Sequence, residues 1–269
     1  MINLDLYSSI ALICVIIIGV PHGGLDAAIA RQKGWPQSSA HYLVFHLSYL
    51  VLSILIIYLW YLFPLISLIV FLLLSGVHFG LSDLIVEKKI NISTIVAHGG
   101  LVPIVIPYLN QNDVLEIFTI LAGEYSAAYI LVLMQYLILP WLICFALYTY
   151  YIVTKKEKIR PFINLIILII VSFLCPPLVS FSVYFCVFHS PGHMMKILNN
   201  LDNSDRKRAV IEAIIYSVIT FIIMIFGVVL LVDNFHISES IIIIVFIGLA
   251  ALTFPHMILV DYVTTFRKK

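Results

Sequence analysis

The sequence predicts an all-α protein: a polytopic bundle of about nine transmembrane helices, its N-terminus outside and its C-terminus cytoplasmic. Three observations predict it. Of 269 residues, 62% are hydrophobic and only 11% charged, and mean hydropathy is +1.11, whereas a soluble domain carries about 25% charged residues. Apolar runs recur at close to the roughly 20 residues that cross a hydrocarbon core. Finally, all 15 lysines and arginines fall after alternate runs, as the positive-inside rule requires of a single orientation.

The runs lie at residues 6–21, 41–62, 65–86, 92–109, 128–153, 162–176, 178–196, 209–232 and 241–264. The first has no lysine or arginine ahead of it, only Asp5, so it reads as a retained span rather than a signal peptide. Phe63-Pro64 and Cys175-Pro176-Pro177 punctuate tight hairpins, and Asn110-Gln111-Asn112-Asp113 and Asp233-Asn234 mark polar loops. Residues 114–153 allow two readings: one long span after a surface helix, or two spans meeting near Gly123-Glu124. Basic residues follow span one (Arg31, Lys33), span three (Lys88, Lys89), span five (Lys155, Lys156, Lys158, Arg160), span seven (Lys196, Arg206, Lys207, Arg208) and span nine (Arg267, Lys268, Lys269). A single integral membrane domain over 1–269 is expected.

With a net charge of +1 and no basic face, nucleic-acid binding is excluded. Cys14, Cys144, Cys175 and Cys186 all lie inside apolar runs with no CxxC, and read as free thiols packed as small hydrophobes. Trp60, Tyr61 and Trp141 near span ends read as interfacial belts. No internal repeat of the inverted-transporter kind is visible.

Nine histidines are many for so apolar a chain. His22, His78, His98, His189, His193 and His256 fall at similar depths in the cytoplasmic half of their spans, and ionisable groups at membrane depth usually face the bundle interior. That layer is the candidate site. His41 and His46 begin a span at the interface, and His236 sits on an outer loop. Within Phe188-His189-Ser190-Pro191-Gly192-His193, positions i and i+4 share a helical face, so both imidazoles can serve one ion, although Pro191 removes a hydrogen bond and can kink the segment. In Pro21-His22-Gly23-Gly24-Leu25-Asp26, a carboxylate four residues on can accept the second N–H of His22 and set its tautomer. Asp83 lies five residues after His78, about 140° around a helix of 3.6 residues per turn, so direct pairing with His78 is disfavoured. Asp26, Asp83, His98 and His256 are the candidates for orienting the ligands; for His98 and His256 a fifth-ligand role stays open, with non-ligand roles favoured. Tyr184, Phe185 and Phe188 are candidates for lining an apolar substrate channel.

Imidazoles suit zinc, copper, iron or nickel. The HExxH of zinc hydrolysis is absent, as are the multiple histidine boxes of di-iron desaturases and the GxSxG of a serine protease. One mononuclear ion held by histidines from several spans, opening into an apolar interior, favours a lipid-soluble substrate and dioxygen chemistry, for which Fe(II) is best suited. Pro-His-Gly-Gly-x-Asp at 21–26, His-Phe-Gly-x-Ser-Asp at 78–83, Ala-His-Gly-Gly at 97–100, Phe-His-Ser-Pro-x-His at 188–193 and Pro255-His256-Met257 together resemble the Brp/Blh family, bacteriorhodopsin-related membrane β-carotene 15,15′-dioxygenases of bacteria and archaea. The resemblance covers nearly the whole chain. It implies Fe(II) held by His22, His78, His189 and His193, and central cleavage of all-trans-β-carotene with O2 into two retinals in the prokaryotic cell membrane. It implies no obligatory protein partner. Gly192 departs from it, standing where many relatives are expected to carry a basic residue. The competing class is a transporter or channel moving metal or protons along the same histidines. It predicts polar residues continuing outward, yet the outer halves of spans three, seven and nine are almost wholly apolar. An iron oxygenase acting on a different carotenoid would keep the site and change only the substrate.

Overall fold

The computed structural model describes residues 4–35, 37–84, 91–155 and 159–260, all of them helical or in short connections. The expected basic positions Lys88, Lys89, Lys156, Lys158, Arg267, Lys268 and Lys269, and the last residues of the third and ninth expected spans, lie outside the described residues. Eleven helices follow in order among the described residues: α1 Leu6–Gln32, α2 Ser39–Leu62, α3 Pro64–Ser82, α4 Ile92–Gly99, α5 Leu101–Leu109, α6 Gln111–Ala122, α7 Glu124–Lys155, α8 Ile159–Leu174, α9 over 177–199, α10 Asn203–Leu231 and α11 Ile237–Met257.

Six of these, rather than nine, are long and apolar enough to cross a membrane: α1, α2, α3, α7, α10 and α11. The expected span 92–109 makes a seventh only as the pair α4–α5, bent by 48°. Length and composition set the remaining expected spans apart from these six. At 16 residues α8 falls below the roughly 20 needed. The turns of α9 widen over Tyr184–His189 between two α-helical ends, and it carries Ser190, Pro191, Gly192, His193 and Lys196, which dilute its apolar run. The ambiguous stretch is one long helix, α7, preceded by the 12-residue α6. Gly123 separates them with φ +86°, a left-handed conformation open to glycine.

Local chemistry places the helix starts. The Ser38 hydroxyl accepts the His41 N–H at 3.3 Å to cap α2, the Asp202 carboxylate accepts that of Asp205 at 2.9 Å to cap α10, and Glu239 accepts the His236 N–H at 3.2 Å at the head of α11. Such side chains satisfy donors that a first helical turn leaves open. Pro64 and Pro177 open α3 and α9, where a missing N–H costs nothing.

The chain divides into two compact units. The first comprises Met1–Leu4, Ile13–Phe63 and Ser190–Lys269. In it α2 packs on α11, and α10 packs on α11 and on the 20–25 segment of α1. Ser53 donates to the Ala251 carbonyl at 2.9 Å, joining α2 to α11, and the Tyr49 hydroxyl lies 3.0 Å from the Leu252 carbonyl. Leu25, Ala28, Ile29, Ile197, Ala209, Ala213 and Val260 form a buried cluster, and Arg31 pairs with Glu212 at 2.7 Å.

The second unit comprises Asp5–Leu12 and Pro64–His189. Its tightest crossing joins α3 to α4. A Cβ on Gly80 would stand 2.4 Å from the Ile95 carbonyl oxygen, and one on Gly99 only 1.9 Å from that of Gly76. Small residues four apart on α3 thus let the two backbones touch, the usual device where van der Waals contact drives helix association in lipid. Trp141 is buried, and its indole donates to the Ala97 carbonyl at 3.0 Å, one turn before the α4–α5 bend. Trp60 is also buried, while Tyr61 is exposed.

Candidate metal centre

Three of the layer's histidines converge in the first unit. Ring centroids lie 5.1 Å apart for His22 and His256, 5.1 Å for His193 and His256, and 5.8 Å for His22 and His193. The planes are steeply inclined, at 86°, 70° and 88°. Irregular backbone presents the His22 ring. A π-helical turn over Val15–Gly19 and a 3₁₀ segment over Val20–Leu25 precede the α-helical end of α1, and such interruptions gather at functional sites.

That 3₁₀ segment revises one expectation. At three residues per turn, positions four apart are rotated by about 120° rather than aligned, so Asp26 does not accept from His22. The His22 Nδ1–H donates to the Gly19 carbonyl and lies 3.4 Å from the Ser190 hydroxyl. Asp26 turns to His256 instead: Oδ1 accepts from His256 Nδ1 at 2.7 Å, and Oδ2 accepts from the Tyr49 hydroxyl at 3.0 Å. Asp26 and His256 are 3% and 2% exposed.

The second unit holds a histidine pair, His78 on α3 and His189 on α9, with centroids 5.3 Å apart. Both are buried. Asp83 accepts from His189 Nδ1 at 3.2 Å and from the Tyr184 hydroxyl at 2.8 Å, and the Ser82 hydroxyl is also 3.2 Å from that Nδ1. Around His189, Phe185 stacks at 5.7 Å and 13°, Tyr184 at 5.9 Å and 24°, and Phe79 stands edge-on at 4.8 Å. His189 closes a π-helical turn, Tyr184–His189. That widened turn stands where Pro191, lacking an N–H, cannot bond the Val187 carbonyl. Phe188 is half-buried.

The remaining histidines have other work. His98 hydrogen-bonds with the Tyr148 hydroxyl at 3.4 Å, an interhelical link between α4 and α7. His46 bonds the Tyr216 hydroxyl at 2.7 Å and donates to the Tyr42 carbonyl at 2.8 Å. His236 heads α11. Tyr49, Tyr184, Ser82 and Ser190 are contributors that sequence reasoning did not identify as partners of the histidines. Ser190 lies 168 residues from His22 and Ser82 lies 107 from His189, and no local spacing signals that.

Imidazole nitrogens in each unit are of the kind that suits a borderline divalent ion. His22, His189 and His256 each commit Nδ1 to a carbonyl or carboxylate, which puts the lone pair on Nε2 and raises ligand basicity. Two imidazoles sharing one ion at about 2.1 Å hold their centroids roughly 4.5–5.3 Å apart. The two 5.1 Å separations fall inside that range and the 5.8 Å one just outside. Among the described residues, no group of three or more His, Cys, Asp or Glu side chains stands ready to hold a metal ion.

Six long apolar helices, several of them carrying buried imidazoles, are consistent with a multi-pass membrane protein. The family described as beta-carotene 15,15'-dioxygenase matches residues 13–264. The beta-carotene 15,15'-dioxygenase of uncultured marine bacterium 66A03 is 37% identical over 258 residues, spanning 94% of this chain and 92% of that protein. The chain belongs to the β-carotene 15,15′-dioxygenase family. No solved structure matches.

Proposed function

We propose that this chain cleaves all-trans-β-carotene at its central 15,15′ double bond with O2, giving two all-trans-retinal molecules. The observation that carries the reading is the family match over 13–264, which takes in every buried histidine described above. One Fe(II) held by His22, His78, His189 and His193 completes it. That ligand set rests on the resemblance of the motifs at 21–26, 78–83 and 188–193. Bound iron(II) supplies the one-electron exchange with dioxygen that a closed-shell polyene cannot manage by itself.

The chain's own residues do the rest. Gly19 and Asp83 hold the Nδ1 protons of His22 and His189, fixing which nitrogen faces inward. Tyr184 and Phe185, flat against His189, and Phe188 offer walls for a hydrocarbon chain and exclude water. An apolar cavity of about 250 Å³, lined by Pro21, Leu25, Met194, Leu198, Ala213 and Phe221 among others, opens beside the sequence neighbours of His22 and His193 and has room for part of the polyene. β-Carotene is all hydrocarbon, so it enters from the bilayer. Both oxygen atoms enter the products, one per retinal, so the balance needs no reductase and no protein partner. The cell membrane, the single functional domain over 1–269, and nine crossings with the N-terminus outside belong to the same proposal. The orientation is supported by the basic residues after alternate runs.

The test is expression in bacteria that accumulate β-carotene, followed by pigment chromatography. Retinal appears as the orange colour fades, and His22→Ala and His189→Ala abolish it. Unbleached cells containing well-inserted protein would overturn the substrate assignment, and longer apocarotenals would move the cut.

A further inference from the structure

We propose that His256 is itself a ligand of the metal ion, set in place by Asp26 and Tyr49. The inference rests on the iron reading above and adds a residue to it. Its first ground is position. His256 stands 5.1 Å from each of His22 and His193, closer than those two are to each other. Any ion that His22 and His193 share therefore lies beside the His256 ring.

The second ground is the network behind the ring. Both Asp26 oxygens are engaged, one by His256 Nδ1 at 2.7 Å and one by the Tyr49 hydroxyl at 3.0 Å. Tyr49 lies within hydrogen-bond distance of the Leu252 carbonyl as well, four residues before His256 on the same helix. The carboxylate is locked between α2 and α11 and holds the imidazole with its Nε2 lone pair inward, the carboxylate–histidine–metal arrangement of ligating histidines. A purely structural Asp–His link accounts for the 2.7 Å bond but not for two further imidazoles gathered on its far side.

The third ground is charge. A carboxylate 3% exposed in an apolar bundle is costly unless compensated. A divalent cation on the His256 ring supplies that compensation through the imidazole. By contrast His98, the other histidine left open by sequence, hydrogen-bonds with Tyr148 and shares no ring contact with this group among the described residues.

The experiment uses the purified full chain in detergent, stripped with chelator and titrated anaerobically with Fe(II), with iron per chain read by mass spectrometry. The Co(II)-loaded chain gives a ligand-field spectrum as a second readout. Asp26→Asn, which keeps the shape, weakens iron binding by about 10–100-fold; His256→Ala weakens it further and changes the cobalt spectrum; Tyr49→Phe gives a smaller loss. Parental affinity and spectrum in His256→Ala, with iron lost from His22→Ala, would overturn the proposal and leave the iron reading standing. Iron retained by His22→Ala as well would overturn both. If His256→Ala does not fold, Asp26→Asn decides: unchanged affinity and cobalt spectrum there overturn the proposal.

Discussion

Gly80→Ala tests the crossing that carries His78. The added Cβ would stand 2.4 Å from the Ile95 carbonyl oxygen and 2.7 Å from Ile95 Cγ2, where ordinary contact begins near 3.4 Å. The difference forces α3 and α4 apart by about 1 Å, because backbone oxygen cannot rotate away as a flexible side chain can. Overpacking of this kind costs about 1–3 kcal/mol. At roughly 2–4 °C per kcal/mol for a chain of this size, the melting temperature falls by about 2–12 °C. His78 lies two residues away on the same helix, and misplacing a reacting group by about 1 Å costs around 100-fold in rate. The assay is a thermal melt of the detergent-solubilised chain alongside the initial rate of retinal formation in the same micelles. Parental melting temperature together with a rate within twofold of parental would refute the backbone contact and the placement of His78 that depends on it.

Other changes have opposite or narrower effects. Gly192→Ala meets nothing within 4 Å and replaces a glycine inside α9, so it stabilises the chain by up to about 1 kcal/mol and leaves cleavage unchanged, read by the same melt and rate. Tyr184→Phe withdraws one of the hydrogen bonds holding Asp83 and frees the carboxylate to rotate from His189; iron affinity falls in a metal titration while the fold persists in a thermal melt. The Asp205 backbone N–H and then the Ser204 hydroxyl hold the exposed Asp202 carboxyl below its ordinary value. That cap therefore stabilises α10 above the unfolded carboxyl range, and the gain disappears as pH falls through the lower folded value. A melt series from pH 6 to about 3 shows the loss in the parental chain, and Asp202→Asn flattens it.

Much of the architecture was legible from local pattern, and the limits of legibility were physical. Hydropathy located α1, α2, α3, α7, α10 and α11, because lipid selects for apolar length and length can be read directly. The other expected spans stand out less by length and continuity, at the bent α4–α5 pair, at the 16-residue α8 and at α9 with its polar Ser190–His193 stretch. Depth along the spans singled out buried histidines, since burying an imidazole in hydrocarbon needs a reason. Partners were a different matter. Asp26 was paired with His22 on the assumption of 3.6 residues per turn, and the 3₁₀ segment Val20–Leu25 turned it toward His256, 230 residues on. Asp83 finds His189 and Tyr184 across more than 100 residues. Trp141 is buried, its N–H donating to a carbonyl on α4 that no local pattern points to. Periodicity describes one helix at a time, and these contacts are made between helices.

The most direct test of the central claim is a stoichiometric one on the purified, iron-depleted chain in micelles. Supplied with all-trans-β-carotene, dioxygen and Fe(II), it should form two retinals for each β-carotene consumed, with no activity before iron is added and none in His78→Ala or His193→Ala. Retinal formed at full rate by the iron-depleted chain, or unequal apocarotenals in place of retinal, would contradict it.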